Sequence, residues 1–165
     1  MRNRNRIRYW THAAIIAALY AVLTHMQNLL LPGSASWAIQ FRISEALCVL
    51  AMFTPAAISG LSIGCFLFNL TFAAALPLDM VVGTLATFLA AIAMWKLRQI
   101  PVVPLLMPAL FNALLVGWEL SVYIGGGFVF NAATVAIGEA AVLLTLGALL
   151  NKALKKHRLF PQNTP

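Results

Sequence analysis

The feature that most constrains this chain is a series of long apolar runs separated by short connectors. A run of about 20 apolar residues crosses the hydrocarbon core of a bilayer as one helix, so a chain of 165 residues has room for roughly six such runs. Only 9% of the residues are charged and 62% are hydrophobic, whereas about a quarter of a soluble domain is charged. The sequence therefore predicts one integral membrane domain and excludes a soluble globule.

Prolines, glycines and charged residues divide the chain into six apolar runs, because these residues end membrane helices. The runs cover residues 11–31, 43–54, 56–75, 80–96, 105–123 and 131–150. We therefore predict an all-α fold, an integral membrane bundle of six transmembrane helices. Residues 1–10 form a basic cytoplasmic N-terminal segment in this interpretation, residues 11–150 the six-helix membrane domain, and residues 151–165 a basic cytoplasmic tail.

The basic residues favour six spans with both termini in the cytoplasm, because cytoplasmic connections carry an excess of Lys and Arg. Only Arg42 then lies outside. The basic residues on the cytoplasmic side are Arg2, Arg4, Arg6, Arg8, Lys96, Arg98, Lys152, Lys155, Lys156 and Arg158. If Pro55 merely kinked one long helix, five spans would result, and the basic C-terminus could not share the N-terminal side. This distribution, together with the net charge of +7, indicates contact with a membrane surface rather than with nucleic acid.

In this topology all four acidic residues fall in the outer half of the bundle. Glu45 and Asp79 lie at the outer starts of helices two and four, and Glu119 lies near the outer end of helix five. Glu139 lies about eight residues, or roughly 12 Å, below the outer start of helix six. A charge at the bilayer centre costs at least about 2.5 kcal/mol, so such residues usually face a cavity or a partner. We therefore expect the carboxylates to converge on one outward-facing region.

Amides and one cation extend this region into a predicted polar cup. Asn112 and Glu119 are seven residues apart and share one helix face. Asn69 lies in the outer part of helix three, and Gln40 and Arg42 lie at the outer entrance of helix two. A few polar groups in an apolar bundle are typical of a small-molecule site, here one for a donor-rich and cationic ligand. The candidate binding residues are Gln40, Arg42, Glu45, Asn69, Asp79, Asn112, Glu119 and Glu139.

Structural alternatives exist for most of these residues. Arg42 and Glu45 are three residues apart and could neutralise one another as an interfacial ion pair. Asp79 follows a proline turn and could cap its helix. The asparagines could join helices by hydrogen bonds. Glu119 and Glu139 lie inside apolar helices and are more consistent with ligand binding or proton handling.

Small residues on helix one indicate a flat surface for another helix. Ala13, Ala17 and Ala21 recur at four-residue spacing, which lets helices associate closely in lipid. The stripe could pack inside the bundle or couple the chain to a partner protein.

Catalytic and metal-binding motifs are missing from the sequence. Cys48 and Cys65 lie in apolar runs without metal-ligand spacing, and no Walker loop, HExxH or GxSxG motif occurs. We therefore predict no catalytic residue, no metal and no cofactor.

Four motifs give the chain a resemblance to a known family. They are FRISEAL (41–47), LPLDMVVGTLAT (76–87), NALLVGWEL (112–120) and AIGEA (136–140). Together they resemble the QueT family, the queuosine-precursor substrate-binding S components of energy-coupling factor (ECF) transporters, over residues 11–150. The resemblance implies a six-helix S component in the plasma membrane, whose outward cavity binds a deazaguanine base. It also implies two kinds of partner, a transmembrane coupling protein and two cytoplasmic ATPases, and no ATPase activity of its own.

The resemblance also implies a role for each of several residues. Glu119 and Glu139 would meet the N–H edge of the base or a protonated aminomethyl arm, with Glu45 and Asp79 at the rim or behind them. The alanine stripe would face the coupling protein. The main alternative is an S component for another small vitamin or nucleobase-like nutrient. Two further alternatives are an intramembrane enzyme that uses Glu139 or a histidine for catalysis, and a purely structural membrane subunit.

Overall fold

The structure, a computed structural model, describes residues 2–32, 41–72 and 78–157, and over these residues it contains helices and no strands. The helices, in chain order, are α1 (Arg2–Leu30), a 3₁₀ helix (Ile43–Met52), α2 (Ala56–Thr71), α3 (Asp79–Lys96), α4 (Val103–Tyr123), α5 (Phe128–Val142) and α6 (Ala148–His157). A π-helical turn, Leu143–Gly147, joins α5 to α6 without a break. The predicted all-α fold with six apolar helices is confirmed for the described residues, when α5 and α6 are taken as one.

Four of these helices are long and apolar enough to cross a membrane, namely α1, α3, α4 and the continuous α5–α6 helix. The 3₁₀ helix has 10 residues and α2 has 16, so both are shorter than a full span. The second apolar run, residues 43–54, is the shortest of the six in the sequence, and the short helix found there agrees with it. The segment was expected to be an α-helix and is a 3₁₀ helix instead. Hydropathy indicates how long an apolar helix is, but it does not distinguish the two helix types.

Helices α1 and α2 run parallel to each other. The hydroxyl groups of Tyr9 and Ser59 are 2.6 Å apart near the start of both helices, and Nε2 of His25 lies 2.8 Å from the hydroxyl of Thr71 near their ends. Between these points, glycines allow the two backbones to approach closely. A Cβ on Gly60 would lie 2.7 Å from the carbonyl oxygen of Ala13. The chain must therefore return between α1 and α2.

The 3₁₀ helix makes this return. It begins beside the second half of α1, where the hydroxyl of Ser44 accepts a 2.7 Å hydrogen bond from Thr24. It ends near Pro55, after which α2 begins beside the first part of α1. Pro55 thus marks a reversal of the chain, not a kink in one long helix. At about 2.0 Å per residue, the ten residues cover roughly 20 Å, compared with about 15 Å for an α-helix.

The remaining helices alternate in direction. The side chain of Asn69, near the end of α2, contacts the start of α3, and Gly117 of α4 packs on Ala132 of α5. Three glycines, Gly125 to Gly127, join α4 to α5, all with φ between 81° and 83°. Side chains rarely adopt this left-handed conformation, so the predicted helix end at the glycines is confirmed.

Two helix boundaries differ from the apolar runs. Helix α1 begins at Arg2, so residues 2–10 of the basic segment are helical, and α6 continues to His157. Backbone hydrogen bonds form in water as well as in lipid, and a hydropathy pattern therefore marks the apolar part of a helix and not its ends. The domain division at residues 10 and 150 stays a prediction.

The core surrounds the 3₁₀ helix. Cys48, Val49 and Ala51 are completely buried and pack with residues of α1, α2, α3 and the π turn. Because this short helix is enclosed by the others, it presents little surface to lipid. Its central position brings Glu45 into the interior of the bundle.

Candidate functional site

The structure brings together the four acids and one cation from different parts of the chain. The charge of Arg42 interacts with those of Glu45 and Asp79. The carboxylate of Glu119 interacts with Asp79 and Arg42, and that of Glu139 with Glu45 and Arg42. We call these five residues the acid cluster. The 3₁₀ helix, α3, α4 and α5 each contribute one carboxylate to it, and Arg42 directly precedes the 3₁₀ helix.

Four of the five residues of the acid cluster are buried, and Asp79 is half-buried. Glu45 and Glu119 have no exposed surface, Glu139 is 1% exposed and Arg42 is 5% exposed. The guanidinium of Arg42 also lies over the ring of Phe68, 5.9 Å from its centre, in a cation–π contact. Four carboxylates share this one cation within the cluster. Buried charges normally require paired or hydrogen-bonded partners, so the hydrogen bonds of each carboxylate reveal its role.

Glu45 is held by donors of the protein itself. The hydroxyl of Tyr20 in α1 donates a hydrogen bond to Oε1, and the thiol of Cys48 donates one of 3.0 Å to Oε2. The Thr24–Ser44 hydrogen bond lies next to this pair and joins the same two helices. Both oxygens of Glu45 therefore have partners within the bundle, and the residue anchors the 3₁₀ helix to α1.

Gln27 fixes the entrance of the 3₁₀ helix from the same face of α1. Its amide nitrogen donates to the carbonyl oxygen of Phe41, and its amide oxygen accepts a 2.7 Å hydrogen bond from the backbone N–H of Ile43. These bonds hold the backbone on both sides of Arg42. The position of the cation in the cluster is thus set by α1.

Glu119 and Glu139 differ from Glu45, because their carboxylates contain oxygens without a hydrogen-bond partner. Both oxygens of Glu119 and Oε2 of Glu139 are buried and unpaired. Buried polar atoms are nearly always hydrogen-bonded, and each exception requires an explanation such as a missing water, ion or ligand. Glu119 and Glu139 are therefore the residues of the cluster that can accept further hydrogen bonds.

The two predicted amides lie beside these acids and each has one unpaired atom. Asn69 donates a 2.8 Å hydrogen bond to the backbone carbonyl of Asp79, which leaves its Oδ1 without a partner. Asn112 contacts Glu139, but its Nδ2 makes no hydrogen bond of normal distance and angle. Both side chains are at least nine-tenths buried. A Cβ on Gly83 would lie 3.0 Å from Nδ2 of Asn69, so this glycine leaves room for the amide.

Seven of the eight predicted binding residues are thus brought together, and the eighth, Gln40, lies outside the described residues. Sequence reasoning missed Tyr20, Thr24, Gln27 and Cys48. A signal for three of them was present, since Tyr20, Thr24 and Gln27 continue the face of Ala13 and Ala17 along α1 at helical spacing. The binding role of all these residues stays a prediction.

Two of the three alanines in the stripe pack inside the bundle. Ala13 and Ala17 are buried against Gly60 and Gly64 of α2, whereas Ala21 is half-buried. Small residues on both helices allow this close packing. These two alanines are therefore not a free surface for a partner, contrary to the expectation that they face the coupling protein. The exposed small residues of α1 are their neighbours Ala14 and Ala18.

Ser59 and the two cysteines have structural roles. The hydroxyl of Ser59 lies 2.6 Å from the hydroxyl of Tyr9 and joins α1 to α2. Among residues 2–32, 41–72 and 78–157, no three His, Cys, Asp or Glu side chains are placed to hold a metal ion. Cys48 and Cys65 are free thiols in the core.

Comparison with known proteins gives one match. The family described as QueT transporter matches residues 10–156, which is most of the chain. No curated protein and no solved structure matches.

Proposed function

Since the chain belongs to the QueT transporter family, we propose that it is the substrate-binding S component of an ECF-type, ATP-driven importer. It would capture a queuosine precursor, a deazaguanine base, from the outside of the cell. The family and the apolar helices make it a multi-pass membrane transport protein, and the substrate and the coupling to ATPases are the proposed part.

One observation carries this proposal: Glu119 and Glu139 present unpaired, buried carboxylate oxygens within one cluster. An unpaired buried polar atom costs about 1–3 kcal/mol, so three such oxygens in one cluster favour a ligand that pairs with them. A ligand with N–H donors would satisfy these oxygens. Deazaguanine bases carry such donors on a planar edge, and a carboxylate accepts hydrogen bonds strongly from neighbouring N–H groups.

The proposed orientation in the membrane places both termini in the cytoplasm. The parallel arrangement of α1 and α2 supports it, because the 3₁₀ helix then returns the chain between them. The end of the bundle that carries Arg42, Asp79 and Glu119 would face outward. The basic residues of α1 and α6 would lie at the inner surface, where anionic lipids attract them.

The proposed partners are a transmembrane coupling protein and two cytoplasmic ATPases. The coupling surface would lie on the exposed side of α1, at Ala14 and Ala18, since Ala13 and Ala17 face α2. ATP hydrolysis in the partners would reorient the small protein and release the ligand inside.

A second candidate is an S component for another small vitamin or nucleobase-like nutrient. The unpaired acceptors favour a binding protein over an enzyme or a purely structural subunit, because they call for a ligand rich in hydrogen-bond donors. They do not specify the ring system of that ligand, so another nutrient with similar donors would fit as well.

The proposal is tested with the protein purified in mild detergent. Small molecules extracted from it are identified by mass spectrometry, and binding of deazaguanines is measured beside a panel of bases and vitamins. We expect a deazaguanine to bind tightest, and Glu119→Gln or Glu139→Gln to weaken binding at least about tenfold, or about 1.4 kcal/mol. Ser121→Ala, on the same helix as Glu119, is the matched control. Tightest binding of another nutrient would favour the second candidate, and unchanged affinity in both Gln variants would exclude the acid cluster as the site.

A further inference from the structure

The unpaired atoms of the site fall into two groups that lie on different levels of α4. Asn112 and Glu119 are on the same face of this helix, seven residues apart, which corresponds to a rise of roughly 10 Å. Asn112 lies beside Glu139 of α5, and Glu119 lies beside Asp79 of α3. The site therefore has two ends, each with its own set of hydrogen-bonding atoms.

One end consists of Glu119 and Asn69, and we call it the acceptor end. Its unpaired atoms are the two carboxylate oxygens of Glu119 and Oδ1 of Asn69, all of which accept hydrogen bonds. The orientation of the Asn69 amide is fixed, because its nitrogen donates to the backbone carbonyl of Asp79. The carboxyl group of Asp79 lies beside that of Glu119. A group that donates in several directions would satisfy these unpaired acceptors, and an ammonium is such a group.

The other end consists of Glu139 and Asn112, and we call it the mixed end. Its unpaired atoms are Oε2 of Glu139, an acceptor, and Nδ2 of Asn112, a donor. A group that presents an N–H and a C=O side by side, as a lactam does, satisfies both. An ammonium does not, because it has no acceptor for the amide nitrogen of Asn112.

From this difference we propose that the site binds an elongated cation in one orientation, with a lactam edge at the mixed end and an ammonium at the acceptor end. The inference rests on the proposed function and adds the direction in which the ligand lies. For a deazaguanine, the ring edge with N–H and C=O would face Glu139 and Asn112. A protonated aminomethyl arm would face Glu119 and Asn69.

The reverse orientation would leave mismatched atoms at both ends. The lactam C=O would face the oxygens of Glu119 and Asn69, where the described part of the chain has no buried unpaired donor. The ammonium would face Nδ2 of Asn112, so that two donors meet. Each such mismatch leaves a buried polar group unpaired, and sites built for hydrogen bonding reject ligands strongly on this basis.

Two ligands that differ only in the arm test this orientation, namely a 7-deazaguanine with an aminomethyl arm and the same base with a neutral cyano arm. Their dissociation constants are measured with the purified full-length protein. The wild type should prefer the aminomethyl ligand. Glu119→Gln should weaken its binding about tenfold or more and weaken binding of the cyano ligand by a clearly smaller factor. Glu139→Gln should weaken binding of both ligands by similar factors.

Ser121→Ala on α4 is the control and should leave both constants unchanged. If Glu119→Gln does not fold, Asn69→Leu removes an acceptor from the same end and should also reduce the preference for the aminomethyl ligand. Equal effects of the Glu119 substitution on both ligands, or a preference lost in the Glu139 variant alone, would overturn the orientation. A wild type that binds neither base would instead refute the proposed function.

Discussion

The close approach of α1 and α2 predicts that Gly64→Ala destabilises the protein. The added Cβ would lie 2.8 Å from the carbonyl oxygen of Ala17 and 2.8 Å from Cβ of Tyr20, whereas such atoms prefer about 3.5–4.0 Å. Two of the nearest atoms belong to the α1 backbone, so the helices must separate by several tenths of an ångström. Overpacking of this kind costs about 1–3 kcal/mol, and the better helix propensity of Ala returns up to about 1 kcal/mol.

We therefore expect the free energy of unfolding to fall by about 1–2 kcal/mol in Gly64→Ala. Separation of the helices would also strain the hydrogen bond from Tyr20 to Glu45, so ligand binding should weaken as well. The assay is reversible unfolding in mixed detergent micelles, with binding measured on the same preparation. Gly147→Ala is the matched control, because its Cβ would first meet a methyl group of Val49 at 3.3 Å, and a side chain can give way. Equal stability of the two variants would refute the proposed close contact.

Three further predictions concern single side chains. Tyr20→Phe should lower the free energy of unfolding by about 1.5–3 kcal/mol, because it removes the donor to Oε1 of Glu45; an unchanged unfolding curve would contradict this role. Glu119→Gln should not lower the stability of the ligand-free protein, since its carboxylate accepts no hydrogen bond; a loss above about 1 kcal/mol in the same assay would mean a structural role. Ala18→Trp should spare ligand binding by the isolated protein and abolish uptake by the reconstituted complex, with Ala14→Ser as control; full uptake would exclude this face of α1 as the coupling surface.

The convergence of the acids could be expected from sequence because charge inside an apolar helix is costly. That cost requires Glu119 and Glu139 to face a common polar region, and counting residues along the helices puts all four carboxylates in the outer half of the bundle. The structure brings them together around Arg42. The sequence could not show which of them is already hydrogen-bonded. That depends on Tyr20, whose hydroxyl is one polar atom on a side chain that otherwise packs as apolar.

The alanine stripe shows why spacing alone does not identify a partner. Ala13 and Ala17 can pack on any helix that has small residues at the same spacing. Helix α2 of the same chain has such residues in Gly60 and Gly64. The two stripes have the same four-residue spacing and pack against each other, so neither stripe is left exposed for a partner. Comparing the stripes within the sequence would have indicated this pairing.

The 3₁₀ helix places Glu45, Cys48 and Ala51 directly above one another, because three residues complete one turn and side chains three apart are eclipsed. All three have no exposed surface. Removing one residue from this column would rotate everything beyond it by about 120° and turn a different set of side chains inward. Winding the segment into an α-helix instead would shorten it by roughly 5 Å. Exchange of one side chain is therefore far easier to accommodate here than any change in the number of residues.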